Sequence, residues 1–148
     1  MSNYPVWWDT TVTIYNKYTD SQTQVVTWYK NTINGCFWQY VRDKAVIGDT
    51  TLETNRTICR IRESEKFVEK YVWVNKPLDQ KAKVFTLGQG DIIVKGDVSD
   101  VINEYAQGHR STDLIAKYKE LQGCFEIEAV SINVGPGRGL PHYRAQGV

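Results

Sequence analysis

The sequence predicts a mainly β fold of the α+β class. It reads as a small β-barrel or sandwich, with one main α-helix packed on it and an extended N-terminal arm. Three observations carry this expectation. Thr10 to Tyr18 alternates, with Val12 and Ile14 on one side and Thr11, Thr13 and Lys17 on the other, the pattern of a half-buried strand. Ile92, Ile93 and Val94 are β-branched and lie between Gly90 and Gly96, which reads as a short buried strand. Leu114, Ile115, Tyr118 and Leu121 fall at i, i+1, i+4 and i+7, one apolar stripe along a helix from Thr112 to Leu121. That stripe needs a sheet to lie on.

The other elements follow in order. Residues 1–9 form the arm, which holds Tyr4, Pro5, Trp7 and Trp8 without helix or strand periodicity. Two adjacent tryptophans need cover, either from the chain's own core or from a neighbouring subunit. Thr19-Asp20-Ser21 is a turn signal, so Gln22 to Lys30 should return beside the first strand. Asn34-Gly35 reads as the next turn and Cys36 to Val41 as another strand. Arg42 to Thr50 is charged and contains Gly48-Asp49, so it is expected to be a loop. Leu52 to Ile61 is strand-like, and Phe67 to Val74 reads as a strand or an extended segment. Gly88-Gln89-Gly90 turns the chain into the Ile92–Val94 strand. Ser99 is placed to cap a short helix through Tyr105. Asp113 suits the first turn of the main helix and can pair with Lys117, while Gly123 fits its C-terminal cap. Cys124 to Val134 is expected to be the longest strand. Its apolar phase flips near Ala129–Val130, where a bulge would bend it round a barrel corner. His142 to Val148 reads as a final strand.

The 148 residues suit one domain, an arm at 1–9 followed by a barrel at 10–148 with a helical insertion at 99–123. Hydrophobic residues at 41% and charged residues at 24% argue for a packed chain over a disordered one. A net charge of +1 gives no overall basic excess of the kind a nucleic-acid footprint needs. Cys36, Cys59 and Cys124 form no CxxC pair and sit among apolar residues, so they are expected to be reduced and buried. Met1 to Thr10 lacks the basic start and apolar run of a secretory leader, and no transmembrane run is expected.

No residue pattern points to catalysis, a cofactor or a metal. His109 and His142 have no acidic or cysteine neighbour at ligand spacing, and surface positions explain both. Gly135 to Gly139 is Gly-rich but lacks the GK[ST] ending of a phosphate loop. Glu126 and Glu128 share a strand face, which simple exposure explains. Arg56, Arg60 and Arg62, with Lys66 and Lys70, interleave with Glu53, Glu63, Glu65 and Glu69 and read as a solvated mixed face. The expectation is therefore a chain that is not an enzyme.

The order of Thr11-Val12-Thr13-Ile14-Tyr15-Asn16-Lys17-Tyr18, Val25-Val26-Thr27-Trp28, Phe37-Trp38, the run from Phe85 to Gly96, and Ser111 to Tyr118 resembles a known pattern. It is similar, over nearly the whole chain, to an uncharacterised family encoded among the head and connector genes of tailed phages and prophages of Firmicutes. The layout also resembles the head-tail joining proteins (head completion, or stopper), which open with a Trp-ending hairpin and place a "GD" before a short apolar strand. The resemblance implies a virion protein of the neck, made in the bacterial cytoplasm. It would be a subunit of a homo-oligomeric ring, a dodecamer, with portal or adaptor protein above and tail proteins below, genomic DNA passing through its lumen without specific binding, and no membrane. An adaptor or tail terminator ring is the alternative within the neck. An OB-like barrel binding single-stranded nucleic acid on Trp28, Trp38, Tyr40 and Trp73 is the alternative of another class. The expected contact residues are Tyr4, Trp7 and Trp8 of the arm, Arg42 and Lys44 of the first charged loop, His109 and Arg110 of the second, and Arg138 and Leu140 of the Gly-rich turn.

Overall fold

The computed structural model describes residues 4–119, 123–135 and 139–148. The strands are β1 (Thr10–Thr19), β2 (Val26–Ile47), β3 (Thr50–Arg62), β4 (Ile92–Lys95), β5 (Cys124–Glu126), β6 (Ala129–Asn133) and β7 (His142–Gly147). The helices are α1 (Lys70–Trp73), α2 (Leu78–Lys81) and α3 (Ser111–Lys119). All seven strands join one antiparallel sheet in the order β5-β4-β1-β2-β3-β7-β6, curled into a half-barrel. The mainly β fold with one helix on the sheet is thus what the chain forms.

The turn after β1 is held by Asp20, whose Oδ1 accepts from the amides of Gln22 at 2.8 Å and Thr23 at 3.0 Å. Asn34-Gly35 is no turn. It lies inside β2, a single strand of 22 residues, where the β1–β2 register slips between Thr10↔Cys36 and Val12↔Ile33. Gly35 takes φ +73°, and a Cβ there would sit 2.7 Å from Arg62 Nε, so the glycine admits the guanidinium that bonds its carbonyl at 2.8 Å.

The expected Arg42–Thr50 loop is also strand. β2 and β3 pair without interruption from Phe37↔Arg60 to Ile47↔Thr50, and only Gly48-Asp49 turns between them. Gly48 takes φ +62° at the first central position, where a two-residue hairpin of the II′ class wants glycine. The Phe67–Val74 strand is absent as well. Phe67 makes one parallel bridge to Phe85, and the chain then coils into α1 to bury Trp73 completely against Tyr18 and Tyr29.

No helix forms over Ser99–Tyr105. Asn103 Oδ1 accepts from the Tyr105 amide at 2.9 Å, the Asn103 amide bonds His109 O at 2.7 Å, and Gly108 turns the chain at φ +84°. A side chain that satisfies local backbone groups in this way competes with helix formation. α3 starts one residue before the expected Thr112, and Leu121 lies outside the described residues. The Gly123 amide closes the helix end by bonding Tyr118 O at 3.2 Å. Lys117 pairs with Asp100 at 2.8 Å instead of Asp113, which accepts from the Arg110 amide.

The Cys124–Val134 strand is two strands. β5 pairs with β4 and β6 with β7, so the two ends of the sheet are consecutive in sequence and joined by Ile127-Glu128. The apolar phase flips at this corner. Ile127 exchanges hydrogen bonds with Asp91 and Gly90, and the Glu128 amide bonds Gln146 O at 2.9 Å. Gly147 passes so close that a Cβ would lie 2.0 Å from Glu126 O.

The core lies inside the curl, where Val12, Ile14, Cys36, Cys59, Ile61, Ile93, Phe125 and Ala145 meet. A second cluster covers the outer side of β1, β4 and β5. There Leu114 of α3 and Ile102 pack on Tyr15, Ile92, Val94 and Cys124. The three cysteines are free and buried, and burial pushes the Cys124 thiol up to about 12.

Candidate interface surfaces

The arm is not extended. Residues 4–9 turn back, with the Trp8 amide bonding Pro5 O at 3.0 Å, and dock on the chain's own sheet. Trp8 is 7% exposed and packs against Tyr4, Phe37 and His142 at ring separations of 5.3, 6.1 and 6.0 Å. Arg62 ties the turn down, donating to Trp8 O at 3.0 Å with its guanidinium 4.9 Å above the Tyr4 ring. Tyr4 also bonds Pro141 O and the Glu63 amide. Trp7 points the other way and is 63% exposed. Trp7, Trp8 and Leu140 thus come together around an open cleft of about 300 Å³, completed by Phe37, Arg60 and His142. Arg138 lies outside the described residues.

Arg42 and Lys44 sit on strand β2, not on a loop, and both are exposed. β1 leaves β2 at Cys36, and β7 leaves β3 at Thr57. From Val41↔Arg56 to Ile47↔Thr50 the two strands therefore pair only with each other. This two-stranded ribbon extends about 20 Å at ~3.4 Å per residue. Near its tip Val46 and Ile47 are 72% and 65% exposed.

His109 and Arg110 lie exposed in the turn before α3. His142 opens β7, as the sequence suggests, and there Nδ1 meets Leu140 O at 2.8 Å and Nε2 meets Asn133 Nδ2 at 3.3 Å. A backbone carbonyl thus faces one ring nitrogen and a side-chain amide the other. The ring packs and orients, and has no free nitrogen for chemistry.

The outer face of β3, β7 and β6 carries a set that strand parity brings together. Cys59, Ile61, Tyr143 and Ala145 point into the core, so Arg60, Arg62, His142, Arg144 and Gln146 point out. Arg60 and Arg144 are direct cross-strand partners, and Ser131 sits opposite Arg144 on its other side. Among the described residues neither guanidinium has a carboxylate partner, and Arg144 Nε is buried without a hydrogen bond. Burial, and then the charge of Arg144, lower the Arg60 pKa. Arg60 lies 5.3 Å over the Phe37 ring. Of the acidic residues expected to neutralise this set, Glu63, Glu65 and Glu69 follow the end of β3, and Glu53 lies in its ribbon end, opposite Lys44. The signal was present in the even spacing of Arg56, Arg60 and Arg62, but Arg144 joins them only through the β3–β7 register.

A second charged assembly is internal. Asp91 is fully buried; its carboxylate accepts from Lys70 Nζ at 2.8 Å, the Lys17 amide at 2.9 Å and Asn16 Nδ2 at 3.0 Å. Asn16 in turn exchanges hydrogen bonds with the Thr86 backbone. Burial drives the Asp91 carboxyl above its usual range against the pull of Lys70 and the amides. The Asp91–Lys70–Asn16 set therefore fastens β1 to the 86–91 segment. The stacking platforms expected of a nucleic-acid barrel are mostly consumed too. Trp73 is fully buried, Trp38 packs on Phe125 at 5.4 Å, and Trp28 Nε1 bonds Glu104 at 3.1 Å. Among the described residues no cluster of His, Cys, Asp or Glu has the geometry of a metal site, and no helix is long and apolar enough to cross a membrane.

Residues 7–148 match a family described as "Family of unknown function (DUF6751)". The chain belongs to this family. The match runs from Trp7 to Val148, so the DUF6751 region takes in the cleft, the ribbon and the Arg60–Arg144 face. No match was found among curated proteins, and none among solved structures.

Proposed function

We propose that this DUF6751 chain is a non-catalytic structural subunit of a tailed-phage head-to-tail connector, a head-completion or stopper ring that joins head to tail; an adaptor or terminator ring is the neighbouring reading. The observation that carries the proposal is the β2–β3 ribbon. An isolated two-stranded hairpin is marginal in water, and this one also holds Val46 and Ile47 out in solvent. Seated on a neighbouring copy, it gains the cover that its own chain does not give it. A contact between two different patches, repeated around an axis, closes into a ring, and modest interfaces then add through avidity. The exposed Trp7 and the cleft beside it offer a second contact of the same kind.

The test is mass by light scattering, with negative-stain images, on the purified protein at rising concentration. The wild-type chain is expected to form rings of uniform mass. The V46D/I47D variant is expected to stay monomeric with an unchanged melting temperature, since both side chains are exposed. A wild-type protein that remains monomeric near millimolar concentration, or a variant that assembles equally well, overturns the proposal.

A further inference from the structure

Arg60 and Arg144 present a problem that the fold does not resolve. Like charges directly opposite each other on neighbouring strands repel. Here two guanidiniums are held side by side, partly desolvated, with no carboxylate near them among the described residues and with Arg144 Nε left unbonded. An anion between them would relieve the repulsion. Guanidinium groups suit a phosphate group because their planar forks can each give it two hydrogen bonds.

The surroundings narrow the anion. On the Arg60 side lies the open cleft of about 300 Å³ walled by Trp7, Trp8, Phe37 and Leu140. On the Arg144 side lies a smaller notch of about 90 Å³ lined by Ser131 and Gln146, which offer hydroxyl and amide groups. Paired cations with an aromatic slot on one flank and neutral hydrogen-bonding groups on the other match a chain of phosphates and bases. A carboxylate from another protein would use the guanidiniums but leave the slot unexplained.

We infer that the outer face of β3, β7 and β6 binds single-stranded nucleic acid, with a phosphodiester between Arg60 and Arg144 and the adjoining base in the cleft beside Trp7. The near-neutral net charge is that of the whole chain, whereas on this face Arg60, Arg62 and Arg144 stand together in the β3–β7 register. The inference does not depend on ring formation, since every residue it uses belongs to one chain.

Fluorescence anisotropy with a labelled 15-nucleotide oligothymidylate, titrated between 50 and 200 mM salt, tests it. Binding is expected, weakening as salt rises. In R60Q/R144Q the log–log salt slope should fall by about 1.4, two phosphate contacts at ~0.7 each on a single strand. W7A should weaken binding and leave the slope unchanged. Thermal melts of each variant, expected to be no lower than wild type, establish that the fold is intact. No binding at 50 mM salt, an unchanged slope in the double variant, or equal competition by polyglutamate of matched charge would each overturn the inference. The last of these would assign the pair to an acidic protein partner.

Discussion

The Asp91 cluster and the Arg60–Arg144 pair both set charge against an apolar sheet, and they differ in who completes them. Around Asp91 the chain supplies everything. A cation, one backbone amide and an asparagine converge on one fully buried carboxylate. Around Arg60 and Arg144 the chain supplies two cations and an unbonded donor, and leaves the rest to solvent or a ligand. The carboxylate is answered by the fold itself, whereas the paired guanidiniums have no counter-charge from the chain among the described residues.

Three tests sharpen the contrast, from the largest effect to the smallest. Asp91→Ala leaves the Lys70 ammonium without its counter-ion and should cost about 3–5 kcal/mol, toward the lower end because Lys70 keeps some solvent contact. Chemical denaturation measures it, and a loss under 1 kcal/mol would show that the cluster is ornamental. The second test uses pH. Asp91 has a folded pKa above its unfolded value near 3.9, so the folded chain binds that proton more tightly. Its contribution favours folding below about pH 4 and is lost as pH rises through the folded value. Asp100 is the reverse: hydrogen bonds from Lys117 and Tyr118 hold its carboxyl low, so its stabilisation is present above about pH 4 and is lost as pH falls through the folded value. Stability measured against pH should therefore change in opposite senses in Asp91→Asn and Asp100→Asn, and parallel curves would refute the assignment. Third, Arg144→Gln should stabilise the protein by about 0.2–1 kcal/mol, because it removes a like-charge cross-strand pair. Arg60→Gln should gain less, because it also loses the contact over Phe37. A clear loss in Arg144→Gln would make the pair structural.

Local chemistry made much of the fold legible. The alternation of β1, the β-branched run of β4 and the stripe of α3 each state their structure within a few residues. What misled was punctuation whose meaning depends on distant residues. Asn34-Gly35 looks like a turn, but Gly35 is there to admit Arg62 from β3. Arg42 to Thr50 looks like a loop because its charges hide a ribbon that has only itself to pair with. Phe67 to Val74 has strand composition, yet Trp73 is buried only if the chain coils. The contact residues were legible in part. Trp7, Trp8 and Leu140 were expected and do meet, whereas Arg60 was visible on its strand and Arg144 could not be joined to it without the register.

The corner at Ile127-Glu128 carries a consequence for how the chain comes together in time. β7 lies between β3 and β6, and it follows every other strand in the sequence. During synthesis the core-facing side of β3 has its neighbour on one flank only until β7 emerges, and β6 has nothing to pair with at all. Closure of the sheet is therefore a late event joining segments far apart along the chain, the kind of pairing that folds in milliseconds to seconds rather than microseconds. Until then the ribbon-bearing strands offer an open edge to any neighbour, so a nascent chain crowded among its own copies is at its most exposed to wrong pairing just before it completes itself.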